Sequence, residues 1–348
     1  VRATKINEEM KMAAVEAIAN LAKKTVPEQV NIAYNKRKLS FGKDYIIPKP
    51  FDPRLIEEIP LAVAKAAIKS GVATKKIKDW EKYRIELSER IGSNQKTIRL
   101  IHDRSKEDPK KIIFAEADQL NVLKAAQIVL EEGIGIPILL GNEDNIVNLM
   151  NSINFHNKIE IIDPKSYTQN QKRKFYASIF WEEQKRNGIT EYEANSRLRD
   201  RNYFGAMMVK NGDADAMLSG YSRSYPSVVK PIIQIIGKSK GVSRIAAANI
   251  MLTDRGPIFL SDTALNINPD SKELTAIAIM CSDLVKMFGF EPIIAMLSYS
   301  NFGSSKFEDA EKVKKAVKYL HKVKSDLVVD GPIQSDFALN PEMLNERF

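Results

Sequence analysis

Apolar positions in the first 95 residues recur at the spacing of a helix. In residues 5–23 (KINEEMKMAAVEAIANLAK) they fall three or four positions apart and share one stripe: Ile6, Met10, Ala13, Ala14, Ala17 and Leu21. Two further helices are predicted over 57–70 and 79–91. Between the first of these three helices and the second, the loop IIPKPFDPRL (46–55) contains three prolines, which exclude regular structure there. This segment is predicted to be helical packing, and it holds no set of residues typical of a reactive site.

The pattern changes after a polar stretch at Gly92–Gln95, where short apolar runs begin to alternate with helical patterns. Strands are predicted over Lys111–Ala115, Ile136–Leu140, Ile159–Ile162, Ala216–Leu218, Arg244–Leu252, Ile258–Leu260, Ile293–Leu297 and Leu327–Val329. Helices are predicted over Asn121–Glu132, 169–187, 202–210, Ser271–Met287 and Glu308–Val323. The alternation predicts an α/β fold with a mainly parallel sheet covered by helices, and a division into 1–95 and 96–348. In such sheets ligands bind beyond the carboxyl ends of the strands.

Composition adds few constraints to this picture. The chain has 348 residues, of which 44% are hydrophobic and 28% charged, as in ordinary globular proteins. No apolar run reaches the length of a membrane span, and no signal-peptide pattern opens the chain. The single cysteine, Cys281, excludes an internal disulfide and fits a reducing cytoplasm. The chain starts with Val1, already in helix-like sequence, so we expect it to be part of a longer protein.

The net charge of +9 is concentrated at one end of the chain. Residues 1–95 carry 19 Lys/Arg against 12 Asp/Glu, a net of +7, and the other residues carry 34 against 32, a net of +2. The basic runs, such as Lys36–Lys38, lack the interleaved aromatic residues of a single-strand binding groove. They are therefore interpreted as solvated surface, and no nucleic-acid partner is expected.

Polar residues follow three predicted strands, in SGYSRSYP (219–226), LSYSNFGSS (297–305) and VVDGPIQSD (328–336). Glycines there permit close backbone approach, hydroxyls can donate to phosphoryl oxygens, and Arg223 and Lys230 can supply charge. Each loop alone is better explained as an ordinary helix cap. Together the three loops make an anion or nucleotide site an equal alternative to the caps.

Other candidate chemistry is weaker. His102, His156 and His321 are far apart in sequence and lack paired carboxylates, so no metal site is predicted. Cys281 lies in a helical apolar run and is interpreted as a small buried side chain. No GxGxxG or GxxxxGK[ST] loop occurs. Asp254 and Asp262 flank a hairpin-like segment that favours a turn.

Several sequence blocks resemble known families. IFAEAD, GNEDNI, YFGAMMVKNGDADAMLSG, KPIIQII, MLSYSNFGSS and VVDGPIQSDFAL follow, in order, the pattern of phosphotransacetylases over about residues 98–348. Upstream, VRATKINEEMKMAAVEAIA and DYIIPKPFDPRL resemble the end of the NAD(P)-binding part of bacterial malic enzymes. A malic-enzyme-like segment followed by a phosphotransacetylase-like domain is the order found in the large NADP-dependent malic enzymes, which this chain therefore resembles. The resemblance implies a parent that converts malate to pyruvate with NADP and a divalent metal, Mg or Mn, all bound outside this chain.

The resemblance also implies which residues contact ligand, and where the site departs from the family. The arginines of two phosphotransacetylase motifs correspond to Gln184 and Lys230, and the family's Ser-Arg-Gly-Cys segment would follow Phe348. Gln184 removes one positive charge, and Lys230 cannot form the two parallel hydrogen bonds of an arginine. Both changes favour ligand binding without turnover. The implied ligand contacts are Ser219, Gly220, Ser222, Arg223, Ser224, Lys230, Ser298, Ser300, Asp330 and Gln334.

Three functions remain open at this stage. In the first, the phosphotransacetylase-like domain senses acetyl-CoA or a related CoA ester, regulates the malic enzyme and helps to assemble a homo-oligomer in the cytoplasm. In the second, it is an active phosphate acetyltransferase fused to the malic enzyme. In the third, it is an oligomerisation domain with a vestigial pocket.

Overall fold

The computed structural model describes residues 1–34, 39–43, 45–89, 94–253 and 256–348. The chain forms two compact units, Val1–Gly237 and Lys238–Phe348, and each is described by itself. The division into 1–95 and 96–348 stays a prediction, since a compact unit groups residues by their contacts and not by their ancestry. Among the described residues no helix has the length and apolar character needed to cross a membrane.

Five helices open the first unit: α1 (Glu8–Lys23), α2 (Glu28–Ala33), α3 (Arg54–Lys69), α4 (Trp80–Glu89) and α5 (Asn94–Glu107). The predicted helix over 5–23 begins at Glu8, because the Asn7 side chain accepts a hydrogen bond from the Met10 amide and caps the helix. α1 packs on α3, with Met10 and Ala67 buried between them. α5 was not predicted: of the polar stretch taken as a boundary, Gly92 and Ser93 lie outside the described residues, and Asn94 and Gln95 begin this helix.

A four-stranded parallel sheet forms the centre of this unit, as predicted. The strands β1 (Lys110–Phe114), β2 (Gly135–Leu140), β3 (Glu160–Ile162) and β4 (Ala216–Leu218) lie in the order β3-β2-β1-β4. The helices between and after them are α6 (Leu120–Glu131), α7 (Glu143–Ser152), α8 (Asn170–Gln184), α9 (Glu191–Arg197), α10 (Arg201–Lys210) and α11 (Tyr225–Ile235). Separate apolar clusters, one around Phe180 and Phe204 and the other around Phe114 and Leu123, show that both faces are covered.

The second unit contains two small sheets. β5 (Ala248–Thr253) and β6 (Gly256–Ser261) form an antiparallel pair, and β7 (Ile293–Leu297) and β8 (Val328–Ile333) a parallel one. The helices are α12 (Ser271–Met287), α13 (Glu308–Val323), α14 (Ser335–Leu339) and α15 (Pro341–Arg347). The core lies between α12, α13 and the parallel strands, and includes Met296, Ala316 and Leu320.

Two predicted strands need correction. The strand expected from Arg244 begins only at Ala248, where pairing with Ser261 starts. β8 continues to Ile333, four residues beyond the end of the predicted strand Leu327–Val329, because its backbone keeps pairing with β7. Asp330 therefore lies within a strand and not in the loop after it. Asp254, a predicted turn residue, lies outside the described residues.

Candidate anion-binding site

The loop that follows β4 directs consecutive backbone amides toward one point. Gly220 has a φ of +109°, a conformation that side chains with a Cβ rarely adopt, and this turns the chain sharply after the strand. The amides of Gly220, Tyr221 and Ser222 then converge in the manner of an anion-binding cradle. The anion in this cradle belongs to the protein itself: the carboxylate of Glu116.

Glu116 lies just beyond β1 and is 3% exposed. Its Oε1 accepts hydrogen bonds from the amides of Gly220 (2.6 Å) and Tyr221 (3.0 Å). Its Oε2 accepts from the Ser222 amide (2.7 Å) and the Ser222 hydroxyl (2.5 Å). The Ser219 hydroxyl lies 3.2 Å from Oε1 and 2.8 Å from Oδ1 of Asn202. Three predicted ligand contacts, Ser219, Gly220 and Ser222, are thus already engaged with a carboxylate.

The environment of Glu116 favours its ionised form. Burial by itself raises the pKa of this carboxyl, but the hydrogen bonds from the Ser222 hydroxyl and from three backbone amides outweigh burial and lower the pKa from 4.5 to about 2. The carboxylate is therefore ionised across the physiological range. It holds the loop in one conformation and sets the direction in which the following residues project.

The predicted cations of this loop differ in their availability. Arg223 forms an ion pair with Asp200 at 2.8 Å, and Asp200 also accepts a hydrogen bond from the Asn202 amide at the start of α10. Ser224 precedes α11, and its carbonyl accepts from the amide of Ser227. Lys230 is exposed, and within the described ranges its ammonium group has no hydrogen bond or ion pair. Lys230, which lies on α11, is therefore available to meet a ligand.

Gln184 is tied to the far end of the same helix. Its side-chain amide donates to the Gln234 carbonyl in the last turn of α11, at 2.8 Å. The Gln234 side chain in turn accepts hydrogen bonds from Tyr203 (2.6 Å) and Arg197 (3.3 Å). Since Lys230 and Gln234 are four residues apart, they share one side of α11. Gln184 consequently serves as a neutral tether of this helix.

The second unit holds the remaining predicted residues. Asn301 and Gln334 form a reciprocal pair: the Asn301 side chain donates to Oε1 of Gln334 (2.6 Å), and the Gln334 amide donates to Oδ1 of Asn301 (2.8 Å). The Ser298 amide donates to the Ile333 carbonyl. These bonds hold the segments after β7 and β8 together. Ser300 is buried, and its hydroxyl oxygen has no hydrogen-bond partner in the part of the chain that the structure describes.

Asp330 and its neighbour Gly331 fix the end of this strand pair. Oδ1 of Asp330 accepts a hydrogen bond from the Gly331 amide at 2.7 Å. Gly331 has a φ of +142°, and a Cβ there would lie 2.5 Å from the Met296 carbonyl oxygen. Only glycine lets the two strands approach so closely. The predicted residues thus form two groups, Ser219–Lys230 in one unit and Ser298, Ser300, Asp330 and Gln334 in the other.

Titratable residues elsewhere are engaged in structure. His102 lies 3.2 Å from Glu132, and a ring nitrogen of His321 contacts the Val329 carbonyl at 3.0 Å. Burial raises the pKa of the half-buried Cys281 thiol despite a hydrogen bond with Ser261. Across residues 1–34, 39–43, 45–89, 94–253 and 256–348 no group of three or more His, Cys, Asp or Glu side chains is placed to hold a metal ion.

Comparison with known proteins places these features in context. The model of the family "Phosphate acetyl/butaryl transferase" matches residues 96–348. The chain is 38% identical over 352 residues to the NADP-dependent malic enzyme of Salmonella typhimurium, covering 100% of this chain and 46% of that enzyme. It is 36% identical over 253 residues to the phosphate acetyltransferase of Thermoanaerobacterium thermosaccharolyticum, covering 71% of this chain and 76% of that enzyme.

Solved structures give the same result for the fold. A phosphotransacetylase from Streptococcus pyogenes superposes with a TM-score of 0.65 at 33% identity, covering 72% of this chain and 76% of that protein. The chain spans about half the length of the malic enzymes it matches. The segment before residue 96 is matched in those malic enzymes and lies outside the family model.

Proposed function

The chain belongs to the phosphate acetyl/butaryl transferase family through residues 96–348, and from this premise we propose that it is the regulatory part of an NADP-dependent malic enzyme. The single observation that carries the proposal is the match to malic enzymes along the whole chain, including the segment before residue 96. The parent would oxidise malate to pyruvate and CO2 with NADP and a Mg or Mn ion. We assign those ligands to other parts of the parent.

The transferase-like domain is proposed to bind acetyl-CoA or a related CoA ester without turning it over. Acyl transfer to phosphate needs cations already in place around a dianion. In the sequence resemblance Gln184 and Lys230 stand where phosphotransacetylases have arginine. Here the Gln184 amide is used to hold the Gln234 carbonyl, and Lys230 offers a single ammonium in place of a bidentate guanidinium. One exposed cation is sufficient for binding but gives weak stabilisation of a transition state.

Helix α6 offers a route from this site to the upstream segment. It begins four residues after Glu116, which holds the loop, and it ends at Glu131. The amide and hydroxyl of Thr25 both lie 3.2 Å from the Glu131 carboxylate. Arg54 donates to the Thr25 carbonyl at 2.9 Å and is paired with the buried Asp52. A ligand that displaces the loop would shift α6 and, through Glu131, the segment shared with malic enzymes.

Exposed apolar residues in the second unit support the proposed homo-oligomer. On β5, Ile250, Met251 and Leu252 are each between 38% and 49% exposed. Consecutive large apolar side chains on a strand are unfavourable in water and are typical of a surface that another subunit covers. We propose that β5 and its partner β6 contribute to this contact between subunits.

The test of the regulatory role uses the full-length parent. Malate oxidation is measured with and without saturating acetyl-CoA, in the wild type, in Lys230→Ala and in Lys158→Ala, which removes an exposed lysine from another surface of the same unit. We expect acetyl-CoA to change the rate in the wild type and in Lys158→Ala, and the response to be lost in Lys230→Ala. A rate that is unaffected by acetyl-CoA in the wild type would sink the regulatory role, and formation of acetyl phosphate from acetyl-CoA and phosphate would show that the domain is a working transferase.

A further inference from the structure

A cavity lies at the carboxyl edge of the parallel sheet in the first unit. Its volume is about 340 Å³, within the range of small-molecule sites. Residues that follow β1, β2 and β3 line it, joined by the segment before α10. The principal polar residues around it are Asp118, Asn142, Asp163, Lys165, Arg199 and Arg201. None of the ligand contacts expected from the sequence lines this cavity.

One wall of the cavity is fixed by a bidentate ion pair. The Arg201 guanidinium donates to both carboxylate oxygens of Asp118, at 2.8 Å and 2.9 Å, and also to the Ala115 carbonyl. The pair neutralises its own charges and ties the start of α10 to the end of β1. The pair therefore forms a rigid boundary, and the remaining lining residues determine the net charge of the cavity.

The rest of the cavity lining includes two exposed cations, Lys165 and Arg199. Within the part of the chain that is described, the side chains of Lys165 and Arg199 have no hydrogen bond or ion pair. Beside them lies Arg173, which is buried and whose guanidinium donates to the carbonyls of Pro164 and Ser166 and to the Asn170 side chain. Asp163 is the nearby carboxylate, and its Oδ1 accepts from the Lys165 amide. Lys165 and Arg199 therefore share the cavity lining with Asp163, and the buried Arg173 adds positive charge close to Arg199.

The pKa of Arg173 reflects its burial and the positive charge around it. Burial, and after it the neighbouring Arg199, lowers the pKa of the Arg173 guanidinium, while Asp163 acts in the opposite direction. Arg173 also serves a structural purpose, because its bonds to the two carbonyls fix the loop that presents Lys165. An uncompensated group of cations around a concave surface attracts anions and concentrates them there.

We propose that this cavity binds a small phosphate monoester with hydroxyl groups. Lys165 and Arg199 hold the phosphate, which carries nearly two negative charges and three acceptor oxygens at neutral pH. The Asp163 carboxylate accepts hydrogen bonds from the hydroxyl groups of the ligand, and the side-chain NH2 of Asn142 donates to them. Lys230 lies on α11 and does not line this cavity, so the cavity provides a second input to the same sheet edge.

Calorimetric titration of the 348-residue chain tests this assignment. The probes are glycerol 3-phosphate, inorganic phosphate and malate, applied to the wild type, to the double variant Lys165→Ala/Arg199→Ala, and to Lys165→Arg. Lys158→Ala controls for loss of an exposed lysine and Lys230→Ala for binding at the other loop. All the altered side chains are exposed, and circular dichroism verifies that each variant is folded.

We expect glycerol 3-phosphate to bind saturably and more tightly than either phosphate or malate. The double variant should weaken it by about tenfold or more, since two charge-assisted contacts are lost. Lys165→Arg, Lys158→Ala and Lys230→Ala should retain binding. The proposal is overturned by absence of saturable binding, by equal loss in Lys158→Ala, by loss in Lys230→Ala with the double variant unaffected, or by tighter binding of malate. Loss of the acetyl-CoA response alone would bear on the regulatory proposal and not on this cavity.

Discussion

Replacing Glu116 by glutamine tests whether this carboxylate holds the loop after β4. A glutamine has the same shape, but one of its two terminal groups is an NH2. Because the amides of Gly220 and Ser222 point at opposite oxygens of the carboxylate, at least one backbone N–H then faces another donor in either orientation of the side chain. The charge that these amides stabilise is lost as well.

The size of the effect follows from the pKa of Glu116. A decrease from 4.5 to about 2 means that the folded state favours the ionised form by about 3 kcal/mol. Because the pKa is lower in the folded state, this stabilisation is fully present above pH 4.5 and is lost as the pH falls toward 2. For a unit of this size, about 3 kcal/mol corresponds to a decrease of about 6–12 °C in the unfolding midpoint.

Thermal and urea unfolding of the wild type and Glu116→Gln at pH 7 and pH 3 provide the measurement. We expect the difference in unfolding free energy between the wild type and Glu116→Gln to be about 2 kcal/mol smaller at pH 3 than at pH 7. At pH 3 part of the stabilisation of the wild type has already been lost. Glu143→Gln, which alters an exposed carboxylate in the first turn of α7, is the control and should change stability by less than about 0.5 kcal/mol. Equal stability of wild type and Glu116→Gln at pH 7, or a gap that is the same at both pH values, would refute the reasoning.

Two further substitutions test the backbone of each unit by urea unfolding. Gly331→Ala should destabilise the protein by about 1–3 kcal/mol more than Gly241→Ala, because both glycines have a positive φ but only the first would bring a Cβ against the Met296 carbonyl; equal costs would contradict the clash. Thr190→Ala should cost about 1 kcal/mol by removing the capping box with Glu193 at the start of α9, and Thr190→Ser should restore most of it. Failure of serine to rescue would show that the cap is not the cause.

Periodicity was sufficient to predict the frame of the fold. The parallel strands of the first unit and the long helices α1, α12 and α13 have strong apolar patterns, and the structure confirms them. Two short helices were missed. α9 follows the cap residue Thr190 and has too few apolar residues to be recognised by spacing. α7 follows the cap residue Asn142 and does carry Ile146, Leu149 and Met150 at helical spacing, but it was not predicted.

The candidate site shows a different limit. SGYSRSYP predicted a donor-rich turn for an external anion, and this stays a prediction. The structure shows a sharp turn at Gly220 and backbone amides that converge on Glu116. The sequence did not reveal what fills the cradle, because Glu116 is more than a hundred residues away from the loop and reaches it only through the pairing of β1 with β4. A usable signal was present, since a glutamate directly after a buried strand must find donors at the same sheet edge.

The hydrogen bonds between Thr25 and Glu131 have a consequence for chimeric proteins. They join the segment shared with malic enzymes to α6, a helix of the transferase-like domain. The segment and the helix thus belong to one compact unit. A chimera that exchanges residues from 96 onward for a free-standing transferase would cut this joint and pair Thr25 with a foreign helix. We therefore expect a chimera with its crossover at Gly237, the boundary of the two compact units, to keep these bonds and to unfold at a higher temperature than one with its crossover at residue 96.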